Sequence, residues 1–335
     1  GVDTLAAIEA RTATGNLPTL AAGVDPTDNK RAYTQSYSFT LSQRLPGSSI
    51  FEASYVGNQS KDQLNRAGAG ALTNGINPNA IPAGAIFRLG GDPNSYGAEA
   101  LNALRPLAGY GDLAVARHML YQNYNSLQLT WIRTKGRYNV NMNYTFGKTL
   151  GIVGNYDEFN LGNNYGPLAS DRRHVFNSAY SIELPDFVKN GPKVAKGLVN
   201  GWQFSGITQL QSGANLTANT GGNFNLDVNG ATLTNGYNIS ARSVNGTESI
   251  ALRPQVTCDP QATGKQQFIA QNCFALPRTP GQNGGTVLPE VFGPAFFNSD
   301  LGLYKNFNIS ESKRVQVRIN AYNFLNHPLW SFING

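Results

Sequence analysis

SLQLTWIRTKGRYNVNMNYTF, residues 126–146, decides the fold. Leu127, Leu129 and Trp131 alternate with Ser126, Gln128 and Thr130. After Lys135-Gly136, Tyr138, Val140, Met142, Tyr144 and Phe146 alternate with Asn139, Asn141, Asn143 and Thr145. Successive side chains of a strand point to opposite faces, so each arm carries one apolar face and one wet face. A helical period of about 3.6 residues would scatter the same apolar residues around an axis. The stretch reads as a β-hairpin with a tight turn.

The pattern repeats on both sides. Upstream, Tyr33, Tyr37, Phe39, Leu41 and Leu45 alternate with Thr34, Ser36, Ser38, Thr40, Ser42 and Arg44. A Pro46-Gly47-Ser48 turn follows, and Phe51, Ala53 and Tyr55 then alternate with Glu52 and Ser54. Downstream, a weaker pair spans 174–184, with Phe176, Tyr180 and Ile182 on one face, and 202–211. In the last pair Leu301, Leu303 and Phe307 share a face, and Val315, Val317, Ile319 and Ala321 stand against Arg314, Gln316, Arg318 and Asn320. This makes about eight strands of roughly ten residues, the length of a tilted membrane strand.

The links carry independent information. Those inside the pairs are short, at 46–48, 135–137 and 308–313, with 184–201 the exception. Those between pairs are long, at about 57–122, 148–173 and 212–297. Compact soluble domains rarely hold structureless loops beyond about 15 residues. Outer-membrane barrels combine short periplasmic turns with long extracellular loops.

Composition agrees. Charged residues make up 14% of the 335, against roughly 25% in soluble domains. Aromatics reach 10% and there are 37 glycines, yet mean hydropathy is −0.31. No apolar run approaches the ~20 residues of a membrane helix. The fold class predicted is an all-β, antiparallel transmembrane barrel, apolar outside and wet inside. Its lipid-facing set is Phe39, Leu41, Leu127, Leu129, Trp131, Val140, Met142, Tyr144, Leu301, Leu303, Val315, Val317 and Ile319. Tyr124, Trp131, Tyr138, Trp202, Phe307 and Phe324, near strand ends, read as an interfacial girdle. A soluble secreted β-sandwich also alternates faces, but it buries its apolar face and favours Val, Ile and Leu.

Few residues suggest chemistry. The net charge of +6 is scattered, with no basic stripe, so nucleic acid is not an expected partner. Cys258 and Cys273 fall in one long loop; they read either as a disulfide of an oxidising compartment or as two separate thiols. His118, His174 and His327 are far apart and lack metal-ligand spacing. Asp157-Glu158 lacks a calcium-loop pattern. Asp171-Arg172-Arg173-His174 is the densest ionisable cluster, read as a solvated strand start ahead of an acidic-ligand site. Gly68-Ala69-Gly70 and Gly221-Gly222 read as turn-formers. Neither an enzyme nor a cofactor is expected. Binding residues concentrate on loops held by a scaffold, which singles out Tyr96, Tyr110, Tyr156, Tyr165 and Tyr237 as ligand-binding candidates.

Four stretches taken together resemble the Oar-like TonB-dependent receptors of Gram-negative outer membranes. They are NYNSLQLTWIRTKGRYNVNMNYTFGKTL (123–150), YGPLASDRRHVFNSAYSIELP (165–185), GWQFSGITQLQSG (201–213) and GPAFFNSDLGLYKNFNISESKRVQVRINAYNFLNHP (293–328). The resemblance covers most of 33–328. It implies that residues 1–335 form a partial β-barrel domain, one sector of a barrel of about 22 strands, of the size whose lumen is plugged. The chain shows no plug, TonB-contacting segment or signal peptide, so it is expected to be a fragment that is inactive alone. The implied parent imports bulky scarce nutrients such as siderophores, cobalamin or oligosaccharides, with outer-membrane lipid, the TonB complex and a nutrient ligand as partners. The alternatives are a small eight-stranded porin or surface adhesin, and a soluble secreted binding module.

Overall fold

The computed structural model describes residues 20–65, 76–107, 109–152, 157, 159–216, 227–262, 268–285, 291–310 and 313–328. Eight strands form one continuous antiparallel meander. They are β1 (Tyr33–Leu45), β2 (Ser49–Leu64), β3 (His118–Lys135), β4 (Tyr138–Ile152), β5 (His174–Glu183), β6 (Trp202–Gln211), β7 (Phe296–Ser310) and β8 (Lys313–Ala321). Each pairs with its neighbours in chain order, and a short strand, Tyr165–Pro167, adds to β4. The predicted hairpins are all present. Gly47 and Ser48 (φ 78° and 57°) turn the chain between β1 and β2, and Gly136 (φ 70°) turns it between β3 and β4. These are left-handed conformations that glycine adopts without a steric penalty.

The strands run further toward the long loops than the alternation indicates. β2 continues to Leu64 and β3 begins at His118, still pairing through Gln63 and Leu120. The long links therefore shrink to 65–117, 153–173 and 212–295. Antiparallel order places all three at one end of the sheet.

The sheet has no core. Among the described residues, every buried apolar side chain lies outside β1–β8, and the buried strand residues are Ser49, Ser60, Ser126, Ser178, Ser299 and Lys305, with glycines. Phe39 and Leu41 are 64% and 62% exposed, so no second protein layer seals their face. The soluble sandwich is overturned on this point, because burial of one face is what would stabilise it.

The sheet is also open. Among the described residues β1 pairs only with β2, and β8 only with β7. A closed eight-stranded barrel requires β1 to meet β8, so that alternative is not what the structure holds.

The apolar cores sit in the long loops instead. Ile81, Ala85, Ile86 and Leu101 form one cluster in 65–117, with Tyr96 and Leu104 packed against it. Leu233, Ile239 and Val244 form another in 212–295. The two loops interlock. Gly84 and Ile86 donate backbone hydrogen bonds to the Asn245 and Gly246 carbonyls (2.9 and 3.0 Å), and Asn94 Nδ2 donates to the Asn238 carbonyl (2.9 Å). A bridge from Asp157 to Ile250 ties in the middle loop.

Candidate functional site

The candidate site is the wall itself, with two chemically opposed faces and a loop cap. Register decides which residues share a face. One rung across the sheet runs Leu41, Ala53, Leu129, Tyr144, Phe176, Leu210 and Phe297. The next toward the short turns runs Gln43, Phe51, Trp131, Met142, Ser178, Thr208 and Ser299. Beyond it lie Val140, Tyr180, Gly206, Leu301 and Ala321, then Leu303 with Ile319 and Val317 with Lys305. Phe39 and Leu127 fall on the same face through Tyr55, and Val315 through Phe307. All thirteen residues expected to face lipid thus share one surface.

The other face is more polar, although Ile50, Ile132, Ala179 and Ile207 share one rung of it with Arg44, Asn141 and Asp300. The rung Ser42, Glu52, Thr130, Asn143, Asn177, Gln209 and Asn298 contains no apolar residue. Cross-strand hydrogen bonds on this face join Ser42 Oγ to Glu52 Oε1 (3.1 Å) and Thr130 Oγ1 to Asn143 Oδ1 (3.0 Å), while Thr208 Oγ1 and Ser299 Oγ pair (3.0 Å) on the apolar face. Arg44, Glu183, Asp300 and Arg318 also point to the polar side. A hollow of about 570 Å³ lies on this side, bordered by Ile132, Asn141, Ala179, Ser205, Ile207 and Asp300, so its lining is mixed. On the apolar face, formal charge is confined to the two ends. Lys61 and Lys148 mark the long-loop end, and Arg133, Lys135 and Lys305 the short-turn end.

Aromatic rings edge the apolar face. The Tyr37 and Tyr55 rings meet tilted, 6.1 Å apart, and both hydroxyls donate to Asn125 Oδ1 (3.1 and 2.8 Å). The Tyr37 ring also covers Gly57, where a Cβ would lie 2.1 Å from it. Tyr180 covers Gly206 in the same way, at 2.4 Å. An aromatic ring laid over a strand glycine restores the packing surface that glycine lacks. Of the expected girdle, Trp131, Tyr138, Trp202 and Phe307 lie on this face, and Phe324 lies just beyond β8. Tyr124 is corrected: it shares a rung with Asn58 and Thr149, and its ring rests over Gly147 on the polar face.

A sheet greasy on one side, hydrated on the other and without a protein core defines the wall of an outer-membrane β-barrel. The family model for the outer membrane beta barrel domain matches residues 2–335, so the chain belongs to that family and to the bacterial outer membrane, in contact with its lipid. No curated protein and no solved structure matches the chain.

The loop tyrosines are not gathered into one site. Tyr96 is half-buried against the Ile86 cluster, and its carbonyl accepts from Arg242 Nη1 (3.4 Å). The Tyr110 carbonyl accepts from Asn79 Nδ2 (2.9 Å). Tyr165 stacks on Tyr121 at 5.2 Å and accepts from Asn123 Nδ2. Tyr237 closes a turn to Leu233. Tyr156 lies outside the described residues, as do Glu158 and the glycines at 68, 70, 221 and 222. Cys258 and Cys273 are joined in a disulfide with Cα atoms 4.9 Å apart.

The ionisable cluster, expected to be solvated, is corrected at Asp171, which is buried and serves structure through its contacts. Buried Asp171 accepts from the Thr149 amide (2.6 Å) with Arg173 4.0 Å away, and the His174 ring packs on Phe146 (5.1 Å) beside the Tyr144 hydroxyl (2.7 Å). Asp28, ahead of β1, holds His118 through its backbone N–H and its Nδ1 (2.9 Å). That amide bond, before any other cause, keeps the carboxyl below the usual range.

Asn79 organises the cap and has no sequence signature. Fully buried, it donates to the carbonyls of Leu107, Tyr110 and Gly111, and accepts from the Leu107 amide (2.6 Å).

Proposed function

We propose that the chain is a sector of barrel wall from an Oar-like TonB-dependent receptor that imports a bulky, scarce nutrient across the outer membrane. The observation that carries this reading is the open sheet. Hydrocarbon leaves no water for an unpaired strand edge, and each unsatisfied backbone group there costs several kcal/mol. The outer edges of β1 and β8 therefore call for further strands, in keeping with the wide barrel that the family resemblance implies. A wide lumen suits bulky cargo, and its wall here is lined with Asn, Gln, Ser and Thr. The long loops, packed into a cap, are placed where cargo first meets the cell. The expected classes are iron chelates, cobalamin and oligosaccharides, with energy supplied through TonB.

The test is uptake by cells with and without the gene, using radiolabelled ferric siderophore, cobalamin and oligosaccharide. One of the three is expected to lose saturable uptake in the deletion strain, and to lose it equally in wild-type cells treated with a protonophore. Unchanged uptake of all three, or uptake indifferent to the protonophore, refutes the TonB-dependent reading.

A further inference from the structure

The link between β5 and β6, residues 184–201, is the only short-side connection among the described residues that is not a turn. It carries a seven-residue helix, Lys193–Val199, and it is pinned. The Val188 amide donates to Asn200 Oδ1 (3.0 Å), and Asn200 Nδ2 donates back to the Val188 carbonyl (2.8 Å). Trp202 Nε1 donates to the Leu198 carbonyl (3.0 Å), and the Asn306 amide to the Gly201 carbonyl (2.9 Å). Gly201 sits at φ +78°, with Asn306 O only 2.7 Å from where a Cβ would be. Lys305, buried on the apolar face, donates to the Asn200 carbonyl between the rings of Trp202 and Phe307, 5.1 and 5.2 Å from its ammonium.

This fixed segment buries no helical side chain and displays apolar ones. Phe187, Val194 and Leu198 are 64%, 73% and 63% exposed. Leu198, Trp202, Leu303, Phe307, Val317 and Ile319 border an apolar groove of about 250 Å³ that opens on the lipid side. Lys305 lines this groove as well, and Lys189, Lys193 and Lys196 stand exposed on the link that supplies Leu198 to it. The one acidic residue of the link, Asp186, faces Arg137 at 3.9 Å, which leaves the three ammonium groups unbalanced. An apolar groove next to several flexible cations matches the chemistry of a lipid with an acyl chain and a negatively charged headgroup.

We infer that 184–201 is a membrane-surface foot that binds anionic phospholipid in the periplasmic leaflet. The acyl chain lies in the Leu198–Trp202–Phe307 groove and the phosphate is held by Lys189, Lys193 and Lys196. The inference rests on the reading of the sheet as barrel wall, and its test separates the two. In the complete barrel that carries this chain, with Trp131→Phe, Trp330→Phe and every tryptophan outside the chain replaced by phenylalanine, Trp202 is the sole tryptophan. Reconstituted in phosphatidylcholine vesicles, its fluorescence is expected to be quenched by acyl-brominated phosphatidylglycerol with at least about fivefold preference over acyl-brominated phosphatidylcholine, the factor that a single basic residue near an anionic surface contributes. Adding K189Q/K193Q/K196Q, all at exposed positions, is expected to remove the preference while quenching by brominated phosphatidylcholine remains. Equal quenching by the two headgroups in the parent chain, or a preference that survives the triple substitution, overturns the foot. A second reporter, Trp202→Phe with Trp330→Phe in the same barrel, leaves Trp131 on the open wall, where both brominated lipids are expected to quench alike. No quenching of Trp131 by either lipid overturns the wall and the foot together.

Discussion

Leu129→Arg against Gln128→Arg is the sharpest test of the facing of the wall. Leu129 lies on the apolar face between Ala53 and Tyr144, in the Leu41 rung. On β1 that rung is midway between Tyr37 and Leu45. At a rise of about 3.3 Å per residue and a tilt of about 40°, those two residues are ~20 Å apart along the membrane normal, close to the ~25 Å apolar band of a barrel. Leu129 therefore sits near midplane, where an arginine on the lipid face costs about 2–4 kcal/mol. Gln128 points to the lumen, where its amide donates to Ser126 Oγ (3.3 Å), and an arginine there can stay in water. Its effect is expected within about 0.5 kcal/mol. The assay is urea unfolding of the complete barrel that carries this chain, in phospholipid vesicles, followed by tryptophan emission and by the gel shift of heated against unheated samples. Leu129→Arg should lower the folded-to-unfolded ratio about 30- to 700-fold, while Gln128→Arg leaves it nearly unchanged. Equal losses at the two sites, or a larger loss at Gln128, would falsify the face assignment.

Three further outcomes are expected. Gly206→Ala places a methyl 2.4 Å from the Tyr180 ring system and 2.9 Å from the Asp300 carbonyl, and should destabilise the sheet by about 1–3 kcal/mol in the same unfolding assay. Replacing Cys258 and Cys273 with alanine opens a closure of 15 residues and removes about 3 kcal/mol of loop stability; limited proteolysis should then cut within 212–295 while β1–β8 stay protected. The Asp28 carboxyl is held below its ordinary 3.8 by the His118 amide. Because the folded value is the depressed one, this clasp contributes in full above that value and is lost as pH falls through the lower folded one. Amide exchange at His118, corrected for its intrinsic pH dependence, should rise in that acid window, and Asp28→Asn should flatten the response.

How far the sequence disclosed the fold depended on where each residue sits relative to the membrane. Between Tyr37 and Leu45, or Ser126 and Trp131, water lies on one side only, so apolar and polar residues separate cleanly and the facing of each strand could be inferred. Above that band both faces of β2 and β3 are wet. Gly57, Asn58, Gln59 and Ser60 no longer alternate, although they still pair with Asn125, Tyr124, Asn123 and Gln122. Tyr124 was misplaced for the same reason, since an aromatic outside the band signals no particular face. The loop cores were hidden because Ile81, Ile86 and Leu101, or Leu233, Ile239 and Val244, come together through turns and single-residue contacts without any period. Asn79 was invisible because its importance lies in backbone partners about 30 residues away. The Lys193–Val199 helix is too short for a helical period, and its apolar residues acquire meaning only beside Trp202 and Lys305.

If the long loops face outward, as proposed, their interlocking has a consequence for whatever probes the cell from outside. Gly84 and Gly246 approach so closely that a Cβ on the latter would fall 2.5 Å from the Cα of the former, and Asn94 meets Asn238 and Ser240 across 144 and 146 positions of chain. An antibody or phage tail fibre that grips this surface reads an epitope assembled from distant pieces. Such a binder recognises the folded protein on intact bacteria and ignores peptides copied from either loop, and escape from it requires compatible changes on both sides of the seam.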